Sequence, residues 1–394
     1  MRFFSLDNII TTGVILLILK FFFVIFQIDF LNQLNNQIQD FQINDIVFSR
    51  LMNKKNIAID TNIIIVNISD LKRDKIAILI NLINNYEPKI IGVDGVFSKP
   101  KGDSVDKPLA DAFSKVKNLV LVNRLVYDND NNKVYVEKSL PLFSQYAKSG
   151  FANFIDEVDF RTVRKFSPKE FVDKDIVMAF STKIAEIYYP NAVKKLFERE
   201  NESEIIYFKR NMKKYRIIDC SDAFNNQDTL GIVKGKIVLI GFLGPDLKTL
   251  STEDNFYTPL NPNYIGKSYP DMYGVLIHAN IISMILNGKY INALSDKLII
   301  ILTILLTYLT MAFFTYLRFN HSEAYESLSL VFIFLEMGVF LTIMFTMLLY
   351  FNFYIDLKNM LFVLAVSELV SESYFGSVKP LTKKLINSIR NKFN

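Results

Sequence analysis

The sequence is poor in the residues that carry most soluble chemistry. It has one cysteine, Cys220, and two histidines, His278 and His321. One cysteine excludes an intramolecular disulfide and any paired-cysteine metal site. Two histidines leave little for zinc or for histidine-based catalysis. No glycine-rich dinucleotide fingerprint and no phosphate-loop sequence occurs, and no serine or cysteine nucleophile motif accompanies His278. There is no internal repeat and no long low-complexity linker. The net charge of +5 comes from 45 basic and 40 acidic side chains, far from the dense basic face of a nucleic-acid binder. The expectation is a chain with no catalytic residues, no cofactor, no metal and no nucleic-acid partner.

What is present is apolar residue in blocks. The chain is 51% hydrophobic with a mean hydropathy of +0.22, too high for a disordered chain. Yet 22% of its residues are charged, so a soluble module joined to membrane segments is expected. Residues Ile9 to Phe26 are apolar but for Thr11, Thr12 and Lys20. They lack a small-residue cleavage site, so residues 1–30 read as an uncleaved signal anchor. Leu298 to Leu317 carries no charge until Arg318, and Leu328 to Phe351 is interrupted only by Glu336. About twenty helical residues cross a bilayer core, so both read as spans. Asn359 to Phe375 is a further span, despite Glu368 and Glu372.

Residues 298–375 thus form a three-helix membrane region, and 376–394 form a basic tail with Lys379, Lys383, Lys384, Arg390 and Lys392. The positive-inside rule puts that tail in the cytoplasm. Four spans put the N-terminus there too. Residues 31–297 then lie outside, in the periplasm of a bacterium with two membranes, and the protein sits in the inner membrane. In the tail, Leu381, Leu385, Ile389 and Phe393 recur every fourth residue. The stripe fits a lipid surface or the groove of a soluble partner.

Lys20, Glu336, Glu368 and Glu372 are ionisable groups inside these spans, and each costs about 3 kcal/mol on insertion scales. Depth along the helices would let Lys20 and Glu336 pair. Two readings stand: a proton or ion relay, or polar contacts between helices with Glu372 reaching toward the interface.

The external segment has mixed α/β rhythm. Leu31, Leu34, Ile38 and Phe41 step as an amphipathic helix continuing the first span. Strands are expected at Asn62–Ile68, Lys89–Val93, Leu119–Val122, Glu204–Lys209 and Lys236–Ile240. Helices are expected at Asp74–Tyr86, Pro108–Val116, Asp175–Tyr188 and Tyr273–Leu286. Tyr127 to Lys133 is a polar turn or surface loop. Strands alternating with helices imply right-handed crossovers and a mostly parallel sheet. The fold class is therefore an α/β extracytoplasmic domain inserted between one N-terminal and about three C-terminal transmembrane helices.

Several segments carry a likeness. NDIVFSRLMNKK (44–55) opens the module, IIIVNISD (63–70) is its first strand, and KIIGVDGVFSKP (89–100) its second strand and turn. GFANFIDEVDFRTVRKFSP (150–168) is a mid-domain turn. GKIVLIG (235–241), YTPL (257–260) and YGVLIHANIISMILNG (273–288) follow. Together they resemble the type-two CHASE domain, the extracellular sensory domain associated with cyclases and histidine kinases. The resemblance covers nearly the whole chain up to the tail. It departs at Asn67 and Ser69, where the family tends to carry acidic residues, and after Asp159, where a glycine is missing. The family also implies an output domain, for which the residues after Gly376 give no room. Signalling to a separate protein is therefore expected.

In open parallel sheets ligands sit beyond the carboxyl ends of the strands. Asn67, Asp70, Asp94, Asp246 and Lys248 are expected there, with Thr258 nearby, so a polar ligand would meet them in one crevice. The alternative is that Asp70 and Asp94 cap turns and helices. His278, among apolar helix neighbours, reads as a packing residue, and Cys220 as a small buried one. The sequence thus describes a membrane sensor whose external state reaches a separate effector or envelope protein through the spans or the tail, in contact with membrane lipid and plausible as a homodimer or membrane complex. The rival reading is a non-catalytic scaffolding subunit of an envelope complex. A third is an ion-relay role resting on the membrane glutamates.

Overall fold

The computed structural model describes residues 5–25, 42, 44–52, 57–128, 130, 133–155, 162–262 and 269–393. The chain divides into two compact units, Met1–Val47 with Asn292–Asn394, and Phe48–Ile291. The amphipathic stretch Leu31–Phe41 and the acidic part of the mid-domain turn, residues 156–161, lie outside the described residues.

The chain begins with helix α1, Leu6–Ile25, which belongs to the first unit. The second unit is a seven-stranded sheet. Its strands are β1 (Ile63–Asn67), β2 (Ile90–Val93), β3 (Leu119–Asp128), β4 (Lys133–Glu137), β5 (Lys148–Phe151), β8 (Arg216–Asp219) and β9 (Ile237–Gly241). Between β5 and β8 a separate hairpin forms from β6 (Lys169–Val172) and β7 (Asp175–Met178). The sheet order is β8-β1-β9-β2-β3-β4, with β5 also on β3. All pairs are parallel except β3 with β4, the hairpin that the polar run 127–133 turns.

The central strands are β-branched and buried on both faces, as a doubly covered parallel sheet requires. Alternate residues divide between the two layers. Ile64 and Val66 of β1, Ile91 and Val93 of β2, and Val238 and Ile240 of β9 meet α2 (Arg73–Asn84) and α3 (Asp103–Ser114) in one core. The helices contribute Ile76, Leu79, Ile80, Ile83, Leu109 and Phe113 to it. Each such buried side chain stabilises the fold by about 1.5–3 kcal/mol. Arg73 is held inside this layer by Asp106 at 2.5 Å and by the rings of Phe97 and Phe143. The opposite layer holds α4 (Phe180–Tyr188), α5 (Pro190–Phe197) and α6 (Gly274–Asn287).

Several expected bounds move. The helix expected from Asp175 is a strand to Met178 and a helix only from Phe180, because Asp173 adopts a left-handed φ of +54° and turns β6 into β7. The strand expected over Glu204–Lys209 is two residues long, Glu204–Ile205, paired with Lys165–Phe166. The helix expected from Pro108 starts five residues earlier, with Pro108 inside it. The third strand runs on to Asp128.

In the other unit α1 is joined by α7 (Asp296–Asn320), α8 (Tyr325–Phe351) and α9 (Lys358–Ser373). A wide turn, Tyr374–Val378, leads from α9 directly into α10 (Lys379–Phe393), so the basic tail is helical. Among the described residues, three stretches are long and apolar enough to cross a membrane: Asp296–Asn320, Ser322–Phe351 and Lys358–Ile389. Ile15, Met311, Phe314, Ile333, Val363 and Val370 form the packed centre of the unit. Tyr325, Ser329 and Ile333 of α8 are buried at a spacing of four, a single inward stripe on an otherwise outward apolar helix.

Candidate functional site

At the carboxyl edge of the sheet, register builds a row of residues. Asp219 of β8 pairs with Asn67 of β1, and Asn67 pairs with Gly241 of β9. Ile240 pairs with Val93, so Asp94 follows beside Gly241, its N–H on the Ile240 carbonyl at 2.8 Å. The chain leaves β1 and β2 toward the α2 and α3 layer but leaves β9 toward α6. In open α/β sheets such a change of side marks the strand ends where ligands sit.

Asn67 is fully buried and uses its amide completely. Its Nδ2 donates to Asp219 Oδ1 at 3.3 Å and the Gly244 carbonyl at 3.1 Å, and its Oδ1 accepts from Ser69 N at 3.1 Å and Leu243 N at 2.8 Å. Ser69 Oγ donates to the Pro245 carbonyl at 2.6 Å. Asn67 therefore ties the loop after β1 to the loop after β9. Asp246 caps its own loop, accepting from Lys248 N, Thr249 N and Thr249 Oγ1. Those bonds hold its exposed carboxyl below the ordinary range. Lys248 and Asp70 are exposed on the rim.

Asp94 differs from these. It is part-buried, and its carboxylate has no hydrogen bond or ion pair among the described residues. Burial pushes its pKa up to about 7. Neither Asp94 nor Asp70 caps a helix: α2 starts after Lys72 without a side-chain cap, so the capping role expected for both is not taken. Gly241 lets the start of α6 pack directly against the strand end. A Cβ there would stand 2.8 Å from Val275 Cβ and 3.3 Å from Asp94 Cβ.

Thr258 points elsewhere. It is buried, its N–H and Oγ1 donating to the two oxygens of Asp271 at 2.7 and 2.6 Å. Burial raises Asp271 to about 7 against the pull of those bonds. Sequence reasoning missed Asp219 and Asp271. The adjacent Ile217 and Ile218 of β8 are the one signal for Asp219.

His278 is buried between Phe154 and Phe180, with its Nδ1 2.8 Å from Ser181 Oγ. Burial lowers it to about 3, so the imidazole is neutral. Both partners are enclosed, which makes the pair a packing contact. Cys220 is 8% exposed and its thiol is raised to about 11 by burial and by Asp219, an unreactive setting.

In the helical unit the part-buried Glu336 and Glu368 each meet a hydroxyl of a neighbouring helix. Thr310 Oγ1 lies 3.1 and 3.2 Å from the oxygens of Glu336, and Ser329 Oγ donates to Glu368 Oε1 at 2.5 Å. Glu372 is exposed. The pairing allowed for Lys20 and Glu336 does not form: Lys20 is exposed, and no ion pair joins the two among the described residues. In the tail Leu381, Leu385 and Ile389 are exposed.

The family model described as CHASE2 domain matches residues 14–315, more than three-quarters of the chain. No curated protein and no solved structure matches it.

Proposed function

We propose, from the premise that this chain belongs to the CHASE2 domain family, that it takes a small polar ligand at the strand-end crevice and reports to a separate protein. CHASE2 domains are sensory and extracytoplasmic, and with three apolar helices the chain is a membrane sensory protein. The observation that carries the finer reading is Asp94. A part-buried carboxylate without a partner gains most from a ligand that brings an amine or a hydroxyl. Asp94 stands beside Gly241, where α6 begins, and α6 runs on through a short connection into α7. A ligand that favours one placement of α6 would shift the population of arrangements of the helices that follow it in the chain.

In this reading α1 is the first of four spans, and residues 31–297 face the periplasm of a bacterial inner membrane. The basic residues of α10 support a cytoplasmic side for both termini by the positive-inside rule. The exposed stripe Leu381, Leu385, Ile389 offers the effector a helix face. A homodimer fits a sensor of this kind. The scaffolding alternative has one observation in its favour. Phe171 and Ile176 oppose each other on the β6–β7 hairpin and are 72% and 55% exposed, an apolar pair suited to an envelope protein.

The test uses the full chain in lipid nanodiscs. Thermal unfolding is followed across a panel of small amines, amino acids and polyols, beside Asp94→Asn. A compound that raises the melting temperature of the wild type and not of Asp94→Asn supports the reading. A panel without such a compound, together with recovery of envelope proteins that does not depend on α10, transfers the assignment to the scaffold.

A further inference from the structure

The two ends of the sheet differ in charge. At the carboxyl end stand Asp219 and Asp94, with Asp70 and Asp246 in the loops beyond. The amino end is built from residues 57–62, 86–89, 209–216, 234–236 and 287–290, which carry nine basic and two acidic side chains. We propose that this amino end is a docking surface for the headgroups of an anionic phospholipid bilayer.

Backbone bonds set the five segments in one row. Asp60 N–H donates to the Lys214 carbonyl at 3.0 Å, Ile237 N–H to the Asn62 carbonyl at 3.0 Å, and Lys89 N–H to the Lys236 carbonyl at 2.9 Å. The starts of β8, β1, β9 and β2 therefore lie side by side. The end of α6 joins them through Ser283, whose Oγ donates to Asp60 Oδ2 at 2.9 Å. Arg210 crosses the same junction, its Nη1 donating to Ser283 Oγ at 2.8 Å and its Nε to the Ala58 carbonyl at 3.2 Å.

The charges of this row do not cancel. Asp60 is held by Arg210 at 3.1 Å, and Glu87 by Lys234 at 3.6 Å. Lys89 Nζ donates to the Tyr188 carbonyl at 3.1 Å and lies over the Tyr188 ring. The side chains of Lys213, Lys214, Arg216, Lys236 and Lys289 have no ion pair or hydrogen bond among the described residues. Lys213, Arg216 and Lys289 are exposed, and Lys214 and Lys236 are half-buried. The carbonyls that end α6 offset part of the Lys289 charge, but the other four stand at the starts of β8 and β9. Glu200 and Glu202, in the segment before the row, line a different cavity with Ser167 and Phe171. Each Lys or Arg near an anionic bilayer strengthens binding about fivefold, within a Debye length of about 8 Å.

The chain brings this row within reach of a bilayer. β1 begins at the amino end and α6 finishes there, so both connections between the module and the apolar helices leave from it. Lys289 precedes Asp296, the first residue of α7, by seven positions, a reach of at most about 25 Å. Asp94 lies at the opposite end of the strands, about 21 Å away along the 14 residues of α6, and stays open to solutes in a docked module. The inference does not rest on a ligand at Asp94.

The experiment uses the full-length protein in nanodiscs of phosphatidylcholine or of phosphatidylglycerol. Amine acetylation is followed lysine by lysine by mass spectrometry. Lys213, Lys214, Lys236 and Lys289 report the row, and the exposed Lys72, Lys101 and Lys174 are controls elsewhere on the module. Acetylation of the row is expected to be about threefold or more slower in phosphatidylglycerol than in phosphatidylcholine, with the controls unchanged. Salt at about 0.5 M should remove the difference. Lys213→Gln/Arg216→Gln/Lys289→Gln, at three exposed side chains, should return Lys214 and Lys236 to their phosphatidylcholine rates. Equal rates in the two lipids, or an equal change at row and control lysines, overturns the proposal. Protection of the row by soluble polyphosphate in phosphatidylcholine nanodiscs, with none from phosphatidylglycerol, overturns bilayer docking in favour of a soluble polyanion. The comparison of the two lipids needs the wild type alone, so it decides the matter even if the triple variant fails to fold.

Discussion

Lys379 and Asp7 lie 372 residues apart and meet at 2.5 Å, Nζ to Oδ2, while Tyr374 Oη donates to the other Asp7 oxygen at 2.9 Å. The first turn of α1 is thereby fastened to the junction between α9 and α10. Nearby, Thr315 Oγ1 donates to Asn8 Oδ1 at 2.7 Å and Tyr325 Oη to Ser371 Oγ at 2.8 Å. The starts of α1 and α8 and the ends of α7 and α9 thus share one end of the bundle, an up-and-down arrangement. A movement of α1 against α9 therefore acts on the start of α10 through Asp7.

A zero-length carbodiimide joins a carboxylate to an amine only where they touch, so it should link Asp7 to Lys379. After proteolysis within the external module, the N-terminal and C-terminal fragments should remain covalently attached on a gel. Asp7→Asn should separate them. Both side chains are partly exposed, so Lys379→Ala is expected to cost less than about 1 kcal/mol. Fragments that separate in the wild type as readily as in Asp7→Asn would mean that the two ends do not meet.

Asn67 joins two loops through four bonds from a fully buried position. Asn67→Ala leaves Leu243 N–H without its acceptor. The expected loss is about 2–4 kcal/mol, which lowers the melting temperature by about 4–16 °C for a domain of this size. Asn67→Asp should do no better, since a carboxylate would face the Gly244 carbonyl and Asp219. Differential scanning calorimetry of the full chain in detergent reads both, and a change within 2 °C for Asn67→Ala would refute the tie.

Gly241→Ala should cost about 1–3 kcal/mol through overpacking, because its new methyl would stand 2.8 Å from Val275 Cβ. The second-site test is specific. Val275→Ala keeps the offending Cβ and should not restore stability. Val275→Gly removes it and should restore part, less about 1 kcal/mol for glycine in a helix. Recovery with Val275→Ala would place the clash at the Val275 methyl groups instead.

The central sheet was legible because a parallel sheet covered on both faces needs uninterrupted β-branched residues, as in Ile63–Val66 and Ile237–Ile240. The crevice was legible only in outline. Asn67, Asp94 and Asp246 end strands that the sequence announces. Asp219 ends an edge strand, Arg216–Asp219, with a charged residue at each end, and a partly exposed edge carries no such run. The bond from Thr258 to Asp271 crosses the interval 259–270, which has no pattern of its own. Asp175–Met178 reads as the first turn of a helix because apolar residues continue without a break into α4. The turn that divides them rests on one residue, Asp173, in the left-handed region. Contacts such as Asp7 with Lys379 depend on the assembled bundle and leave no local trace.

The two raised carboxyls give the module a pH dependence of definite sign. Asp94 and Asp271 titrate near 7 when folded and at about 3.9 when unfolded. Between these values the folded state holds more protons, so stability is fully present below about 4 and is lost as pH rises through 7. His278 works the other way. Folded it is lowered to about 3, and unfolded it titrates near 6.5, so its contribution falls as pH drops below about 6.5. One histidine opposes two carboxyls, and the balance between pH 5 and 7 is a loss of stability with rising pH. Asp106, held low by Arg73 and by backbone N–H groups despite its burial, changes only at more acid pH. The melting temperature of the full chain should therefore be higher at pH 5.5 than at pH 7.5. Asp94→Asn and Asp271→Asn keep the shape and remove the titration, so each should flatten the profile. A profile that stays unchanged in both variants would show that these carboxyls ionise normally in the folded module.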